Sequence, residues 1–583
     1  MMIWDSSEYI KAILLLWSIF VCNISGNDDF IIDTDECQIP NFPAFSQESL
    51  SSYVLLDYVR CSTLDPLTRT IVENNTAFLH LRTEVLDQYY KSKDEIDCCY
   101  SYVTRNGTNE EPDIGISFSS CNYFNSTVTL EEHTVIVKCY IGADKIYENV
   151  HRPMVVTKAV KEKLFNRSEA KKLSKKKHLS VLLIVVDSIS RLNLARTMRS
   201  TKKFLQDNDF VEFVGYNKID DNTFPNFNAL LTGLNQSQSY SICKPTIVGG
   251  LDQCPMIWYN FRDKGYVTAY AEDFATISTY NYRKKGFKNP PTDYYFKPYM
   301  AASDTLSTLA VDSMPYCSGP ESQGERILNL AGDFSKTFKN QPYFGIFWMN
   351  TFSHNYINSP GRMDNKMTNF FKDLKQHGVL NDSMVIFLSD HGIRFGVIRQ
   401  TIQGWYEERL PFNLISVPLW FQREYPEKYK NFIQNAQKLT STYDLFLTLQ
   451  EVLSLSVDDY VISNSKACRS CQSLFSHISE KRNCRQAGIG EKWCTCLGKF
   501  HKNDNEITSD MKETALKLFM QSGNFQGFTI ENILKSSISR GPRRKKYLLL
   551  MFKRDFDIPY QALYRIGGNS TDAMKLIHLV RLW

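Results

Sequence analysis

Between Leu179 and about Leu455, short runs that are apolar at nearly every position alternate with longer stretches whose apolar residues recur every three or four positions. The first kind are VLLIVVDS, YVTAYAED, YFGIFWMN, MVIFLSDHG and FNLISVPLWF; the second include RTMRSTKKFLQDN, GRMDNKMTNFFKDLKQHG and STYDLFLTLQEVL. A strand without a polar face must be covered on both sides, which parallel sheets achieve by placing crossover helices above and below. The alternation therefore predicts an α/β domain over residues 179–457, built as a doubly wound, mostly parallel sheet.

The flanks read differently. Residues 27–170 carry Cys37, Cys61, Cys98, Cys99, Cys121 and Cys139 among short β-prone runs such as VTLEEHTVIVKCYI, which predicts an N-terminal disulfide-rich β module. Residues 458–583 begin with Cys468, Cys471, Cys484, Cys494 and Cys496, pass through a helical segment and end in YLLLMFKR, ALYRIGG and LIHLVRLW. A small C-terminal antiparallel sheet is expected there. The leading apolar run Ala12 to Cys22 is too short to span a bilayer and is followed by Asn23, Ser25 and Gly26, the pattern of a signal peptide over residues 1–26. Because Asp5 and Glu8 offset Lys11, an uncleaved anchor stays open. No later stretch has the length of a transmembrane segment.

Composition narrows the class. With 43% hydrophobic and 22% charged residues the chain is globular, and 68 basic against 63 acidic residues give only +5, too little global field to hold nucleic acid. Fourteen of fifteen cysteines follow the leader, and Asn-x-Ser/Thr sequons start at Asn74, Asn106, Asn125, Asn166, Asn235, Asn381 and Asn569. Together these point to a secreted or lumenal glycoprotein with paired cysteines, their connectivity open. Zinc at Cys468-x-x-Cys471 is the alternative for that pair. Two basic runs, Lys171, Lys172, Lys175, Lys176, Lys177 with His178, and Arg543, Arg544, Lys545, Lys546, read as a solvated linker and a strand end, with polyanion contact as the alternative.

Ligands of open parallel sheets bind beyond the carboxyl ends of the strands. Here those ends are polar: Asp187 after VLLIVV, Asn350 and His354 after YFGIFWM, and Ser389, Asp390, His391 and Gly392 after MVIFL. Two carboxylates and an imidazole at Asp187, Asp390 and His391 suit Zn²⁺ or Mn²⁺. A lone Asp after a strand is equally a helix cap, whereas an adjacent Asp390-His391 pair on a glycine turn is harder to explain that way. The segment DDNTFPN places a hydroxyl, Thr223, ahead of the helical run FPNFNALLTG; it is the candidate nucleophile, with an N-cap as the structural alternative. Glu272 and Asp273 end YVTAYAED with no role assigned.

The motifs TFPNFNALLTG, LSDHG, GWYEERLPFNLISVPLWF and TYDLFLTL resemble the sulfatase-like branch of the alkaline-phosphatase superfamily. VDSISRLN, GYNKIDDNTFPN, TAYAED, SDHGIRFG, EERLP and the cysteine-rich SLFSHISEKRNC to WCTC resemble more specifically the DUF229 family. Sulfatases begin their motif with cysteine or serine and carry arginine four places on, where this chain has Thr223 and Phe227; they also carry paired acids after the first strand, where Asp187 is followed by Ser188. A threonine resembles instead the phosphodiesterase and phosphoethanolamine- or phosphoglycerol-transferase branches, in which metal-bound Thr forms a phospho-enzyme.

The resemblance thus implies a secreted metal-dependent hydrolase or transferase of phosphoesters, or a related oxyanion ester, acting on a small-molecule, headgroup or glycan ester. Thr223 and His354 would be catalytic, His354 as a donor to the substrate oxygen and leaving group, with a second-metal ligand as its alternative role; Asp187, Thr223, Asp390 and His391 would hold one metal ion, and Asn350 in place of the Asp of two-metal members leaves a second ion open. Arg394 and Asn350 are weaker candidates for binding substrate, and Glu408 for orienting a ligand; Arg394 and Glu408 as an ordinary ion pair is the alternative. A catalytically silent extracellular binding protein, supported by Ser188, Phe227 and Asn350, and an atypical sulfatase complete the set.

Overall fold

The computed structural model describes residues 29–89, 96–108, 110–171, 176–503, 505–523, 525–554, 558–567 and 573–582. The expected leader, the Asn569 sequon, and Lys172 and Lys175 lie outside the described residues.

A seven-stranded sheet forms the centre. Its strands are β1 (Ser180–Val186), β2 (Val211–Glu212), β3 (Val267–Glu272), β4 (Tyr294–Tyr295), β5 (Tyr343–Met349), β6 (Ser383–Leu388) and β7 (Asn413–Ser416), in the spatial order β2-β7-β6-β1-β5-β3-β4. The five strands from β6 to β4 run parallel; β7 pairs antiparallel with β6, and β2 at the edge pairs antiparallel with β7. The run FNLISVPLWF was expected as one strand; instead Pro418 stops it and caps a helix, Leu419–Glu424. Proline removes a ladder donor and its fixed φ suits a helix start.

Every residue of β1 is buried, and alternate side chains enter opposite layers. Val181, Leu183 and Val185 pack with helices α1 (Thr223–Thr232) and α4 (Thr442–Ser456); Leu182, Ile184 and Val186 pack with α2 (Gln323–Thr337) and α3 (Asp364–Gln376). Each such side chain contributes about 1.5–3 kcal/mol. That double coverage explains the absence of period-two alternation in the sequence.

On one flank, antiparallel strands between Thr68 and His151 build two small sheets, braced by the disulfides Cys98–Cys139 and Cys99–Cys121. On the other, a four-stranded antiparallel sheet, Ile533–Arg540, Lys546–Phe552, Tyr560–Ile566 and Met574–Arg581, packs against the helix Ser509–Gln521. All fourteen cysteines beyond Cys22 are paired, and two bridges cross between regions: Cys61–Cys317 joins the N-terminal strands to the α/β domain, and Cys37–Cys496 joins them to the C-terminal cysteine cluster. Cys468 and Cys471 form a disulfide, so no thiolate remains there for zinc. Among the described residues no helix is long and apolar enough to cross a membrane.

Candidate active site

Strand register brings the site together. Val186 lies opposite Met349 on β5 and Val185 opposite Leu388 on β6, so Asp187, Asn350 and Ser389 leave the sheet at one edge and one level. Asp187, Asp390 and His391 converge there, each fully buried or nearly so, with one ligand atom apiece inside a 4.8 Å span.

The two oxygens of Asp390 are treated differently. Oδ1 accepts from the backbone N–H groups of Ser188 at 3.2 Å and His391 at 2.9 Å and from the Ser389 hydroxyl at 3.4 Å. Oδ2 has no hydrogen-bond partner, and neither has His391 Nε2, which lies 3.2 Å from it. His391 Nδ1 sits 2.9 Å from the Gly392 carbonyl, which can only accept; Nδ1 therefore carries the ring proton and Nε2 presents a lone pair. Two buried lone pairs facing each other repel unless a cation or a proton lies between them. Burial and the neighbouring Asp187 carboxylate push Asp390 up to about 6, and burial pulls His391 down to about 4. Both shifts are the cost of holding these groups out of water without a counter-charge.

Thr223 completes the group. Its hydroxyl donates to Asp187 Oδ1 at 3.3 Å, while His391 Nε2 lies 3.8 Å from the same oxygen. Thr223 is the first residue of α1 and not its N-cap, which is Asn222; that cap makes no side-chain hydrogen bond to the helix. The first-turn N–H groups thus stay available to an anion arriving at the hydroxyl. Ser188, buried and held at φ 63°, donates its hydroxyl to Asp187 Oδ2 at 3.1 Å. A non-glycine residue at positive φ at a strand end costs about 1–3 kcal/mol and is typical of functional sites. Through its backbone N–H and its hydroxyl Ser188 fixes both carboxylates. Gly392 is required for a different reason from a left-handed turn: a Cβ there would meet the Glu407 carbonyl at 2.1 Å.

His354 Nε2 stands 3.9 Å from Asp187 Oδ2, with the imidazole partly exposed at the rim. Asn355 turns its amide N–H toward the carbonyls of Asp312 and Ser313, so its oxygen faces His354 Nδ1 at 2.6 Å and takes the Nδ1 proton. Nε2 is then a base when the ring is neutral and a donor only as imidazolium.

Two weaker candidates are revised. The Asn350 side chain is fully engaged within the protein: its amide donates to Glu272 at 3.2 Å and Asp273 at 3.0 Å, and its oxygen accepts from Trp348 Nε1 at 2.8 Å. Glu408 does not pair with Arg394; its carboxylate binds Lys218 and Arg409, and only its backbone carbonyl reaches the site, accepting from Gly392 N–H at 3.0 Å. Arg394 stays at the rim, 4.0 Å from Asp221 and over the Phe395 ring. Lys218, in the GYNKIDDN segment leading to Thr223, went unremarked in the sequence. It is wholly buried, donates to the Asp221 carbonyl at 3.0 Å, lies 4.0 Å from the Trp493 ring centroid, and is lowered to about 8 by burial. In the sequence it stands among Asn217, Asp220 and Asp221, where a lysine gives no signal of burial. Lys284, whose ammonium lies 4.3 Å from the centroid of the Phe224 ring, is also lowered to about 8 by burial and was missed because its loop has no pattern.

A family model described as "Protein of unknown function (DUF229)" matches residues 56–523, which include every residue of this site. The chain belongs to the DUF229 family. No curated protein matches it. Among solved structures, this DUF229 chain is similar to a protein of the alkaline phosphatase superfamily from Vibrio parahaemolyticus, at 13% identity over 72% of this chain and 91% of that one, with a TM-score of 0.39. It is similar to the phosphonate monoester hydrolase of Silicibacter pomeroyi at 13% identity over 67% and 90% of the two chains, TM-score 0.37. The lipoteichoic acid synthase LtaP of Listeria monocytogenes matches at 14% identity over 51% and 80%, TM-score 0.33.

Proposed function

We propose that this DUF229 chain is a metal-dependent hydrolase or transferase of phosphoesters with Thr223 as nucleophile. The observation that carries this is the pair of unpartnered buried acceptors, Asp390 Oδ2 and His391 Nε2, beside the Thr223 hydroxyl and Asp187. Their lone pairs, two carboxylates and one hydroxyl fit a divalent cation of the zinc or manganese type, held by Asp187, Thr223, Asp390 and His391. Such an ion, when bound, lowers the pKa of a hydroxyl it contacts and neutralises charge on the ester.

The chain's own groups supply the rest. Asp187 Oδ1 accepts the Thr223 hydrogen and orients the oxygen; the open N-terminus of α1 draws the anionic ester toward it. Attack forms the Thr223 Oγ–P bond as the P–O bond to the leaving alcohol breaks, the Thr223 hydroxyl proton passing to Asp187 Oδ1. His354, as imidazolium with Nδ1–H fixed by Asn355, gives its Nε2 proton to the departing alkoxide. Water or an acceptor alcohol then attacks the phosphothreonine, its proton passing back to His354, while the Thr223 oxygen leaves phosphorus and takes its proton back from Asp187 Oδ1. The paired cysteines fit an oxidising compartment, in keeping with a secreted protein; N-terminal sequencing of chain recovered from medium tests this, with a start near Asn27 expected.

The deciding experiment incubates purified protein with phosphodiester and aryl sulfate substrates in parallel, with added Mn²⁺ or Zn²⁺, beside Thr223→Ala. Turnover of phosphodiester lost in the variant is expected. Undiminished activity in Thr223→Ala, or sulfate hydrolysis alone, overturns the reading.

A further inference from the structure

A cavity of about 530 Å³ opens where the C-terminal cysteine cluster meets the turn between the first two strands of the C-terminal sheet. None of Asp187, Thr223, Asp390 or His391 lines it. Its charged lining is Arg485, Arg543, Lys545 and Arg565 against Glu36 and Glu491, four cations minus two carboxylates, a local excess of two. Both carboxylates are occupied, Glu36 by Arg543 and Glu491 by Arg565 at 2.5 Å. Arg485 and Lys545 form no ion pair among the described residues.

In the other basic run, the described Lys176 and Lys177 pair with Asp458 at 3.0 Å and Asp382 at 3.2 Å. The walls of the cavity are fixed. Cys484 is bonded to Cys494 and Cys496 to Cys37, and all but the last of these four line the space. The turn itself is strained, with Arg543 and Arg544 at φ 56° and 57°, where glycine or asparagine would sit without penalty. Of the two, Arg543 lines the cavity.

The position of the cavity also relates it to the active site. In the short turn Glu491–Trp493, Glu491 lines the cavity, while Lys492 lies 3.7 Å from Asp220 and Trp493 stacks under Lys218, both on the segment that leads into Thr223. The cavity wall is therefore linked, through the buried Trp493 and Lys218, to the segment that carries the nucleophile. Several separated cations around a space of this volume fit an anion with charges repeated along its length better than one phosphate, and arginine forks match sulfate and carboxylate groups.

We infer that this cavity is an exosite for an acidic glycan bearing sulfate or carboxylate groups. The binding needs no catalysis, so its test is independent of the reaction proposed above. Fluorescence anisotropy of a labelled heparin oligosaccharide is measured with the full chain, with Arg485→Ala/Lys545→Ala, with Thr223→Ala, and with a control, Lys158→Ala/Lys430→Ala, whose lysines do not line the cavity. At about 0.15 M salt, where surface charges are largely screened, the cavity variant should bind at least roughly tenfold more weakly than wild type, with an unchanged melting temperature. Thr223→Ala and the control should bind as wild type does. Equal binding by the cavity variant, an equal loss in the control, or equal binding of fully desulfated, carboxyl-reduced oligosaccharide overturns the inference. So does stronger capture by anionic phospholipid vesicles than by the glycan when both depend on Arg485 and Lys545.

Discussion

Two clusters of carboxylates stand side by side at the carboxyl edge of the same sheet, both buried, and they differ in whether the protein completes them. Asp273, beyond β3, accepts hydrogen bonds on both oxygens: Asn350 N–H and side-chain amide at 2.7 and 3.0 Å, Thr351 N–H and hydroxyl at 3.0 and 2.7 Å. Its neighbour Glu272 accepts from Thr279, Asn350 and Tyr270. At Asp187 and Asp390 the protein supplies donors to one side of the cluster and leaves Asp390 Oδ2 and His391 Nε2 without any. Since an unpaired buried polar group costs about 1–3 kcal/mol, a fold retains one mainly where something else is to occupy it. The closed cluster ties down the loop carrying His354; the open one is where chemistry is expected.

The largest expected break in that contrast is Thr223→Ala, which should lower phosphodiester turnover by roughly 10⁴-fold while calorimetry shows an unchanged melting temperature. Next is the closed cluster's own response to pH. Burial pushes Asp273 up to about 7 against the pull of its hydrogen bonds. Between about pH 4 and that value the native state holds a proton that the unfolded chain has released, so this contribution is full at low pH and is lost as pH rises, by on the order of 4 kcal/mol. Urea unfolding across the range should show that fall in wild type and not in Asp273→Asn; parallel curves would refute the assignment.

A smaller effect is expected of His354→Gln: a fall in turnover of roughly 10²–10³-fold at unchanged metal content by elemental analysis, because His354 is placed as a proton donor and not as a ligand. Loss of the metal would instead assign it to the ion. Finally, Mn²⁺ or Zn²⁺ at a hundred times its dissociation constant should stabilise wild type by about 2.7 kcal/mol, read as a rise in unfolding midpoint that chelator reverses. Asp390→Asn should show no rise, whereas Asp273→Asn should keep it, separating the open cluster from the closed one.

Much of the open cluster was legible because its members follow apolar runs directly. A strand buried on both faces announces itself by composition, and whatever polar residue ends it is at the sheet edge where ligands bind. Asp187, Asp390 and His391 needed no more than that, and Thr223 needed only the helix signal behind it. Asn350 satisfied the same rule and was misassigned, because the rule locates a residue without telling which neighbour it faces. Its partners Glu272 and Asp273 come from a strand 77 or 78 residues away in the chain. The alternative of an Arg394–Glu408 ion pair fails in the same way, since the lysine that claims Glu408 lies 190 positions earlier.

Taken alone, the order of residues settled the alternation of covered strands and helices, the polar strand ends, and an even set of cysteines beyond Cys22, all of which depend on local periodicity and on parity. Only the folded chain decided that Cys37 pairs with Cys496, that Ser188 holds a left-handed conformation to grip two carboxylates, and that Gly392 is needed for space and not for its φ. It alone decided which carboxylate the protein closes and which it leaves open. Those outcomes depend on which side chains meet across long sequence separations, and burial makes each meeting decisive by removing the water that would otherwise satisfy every polar atom equally.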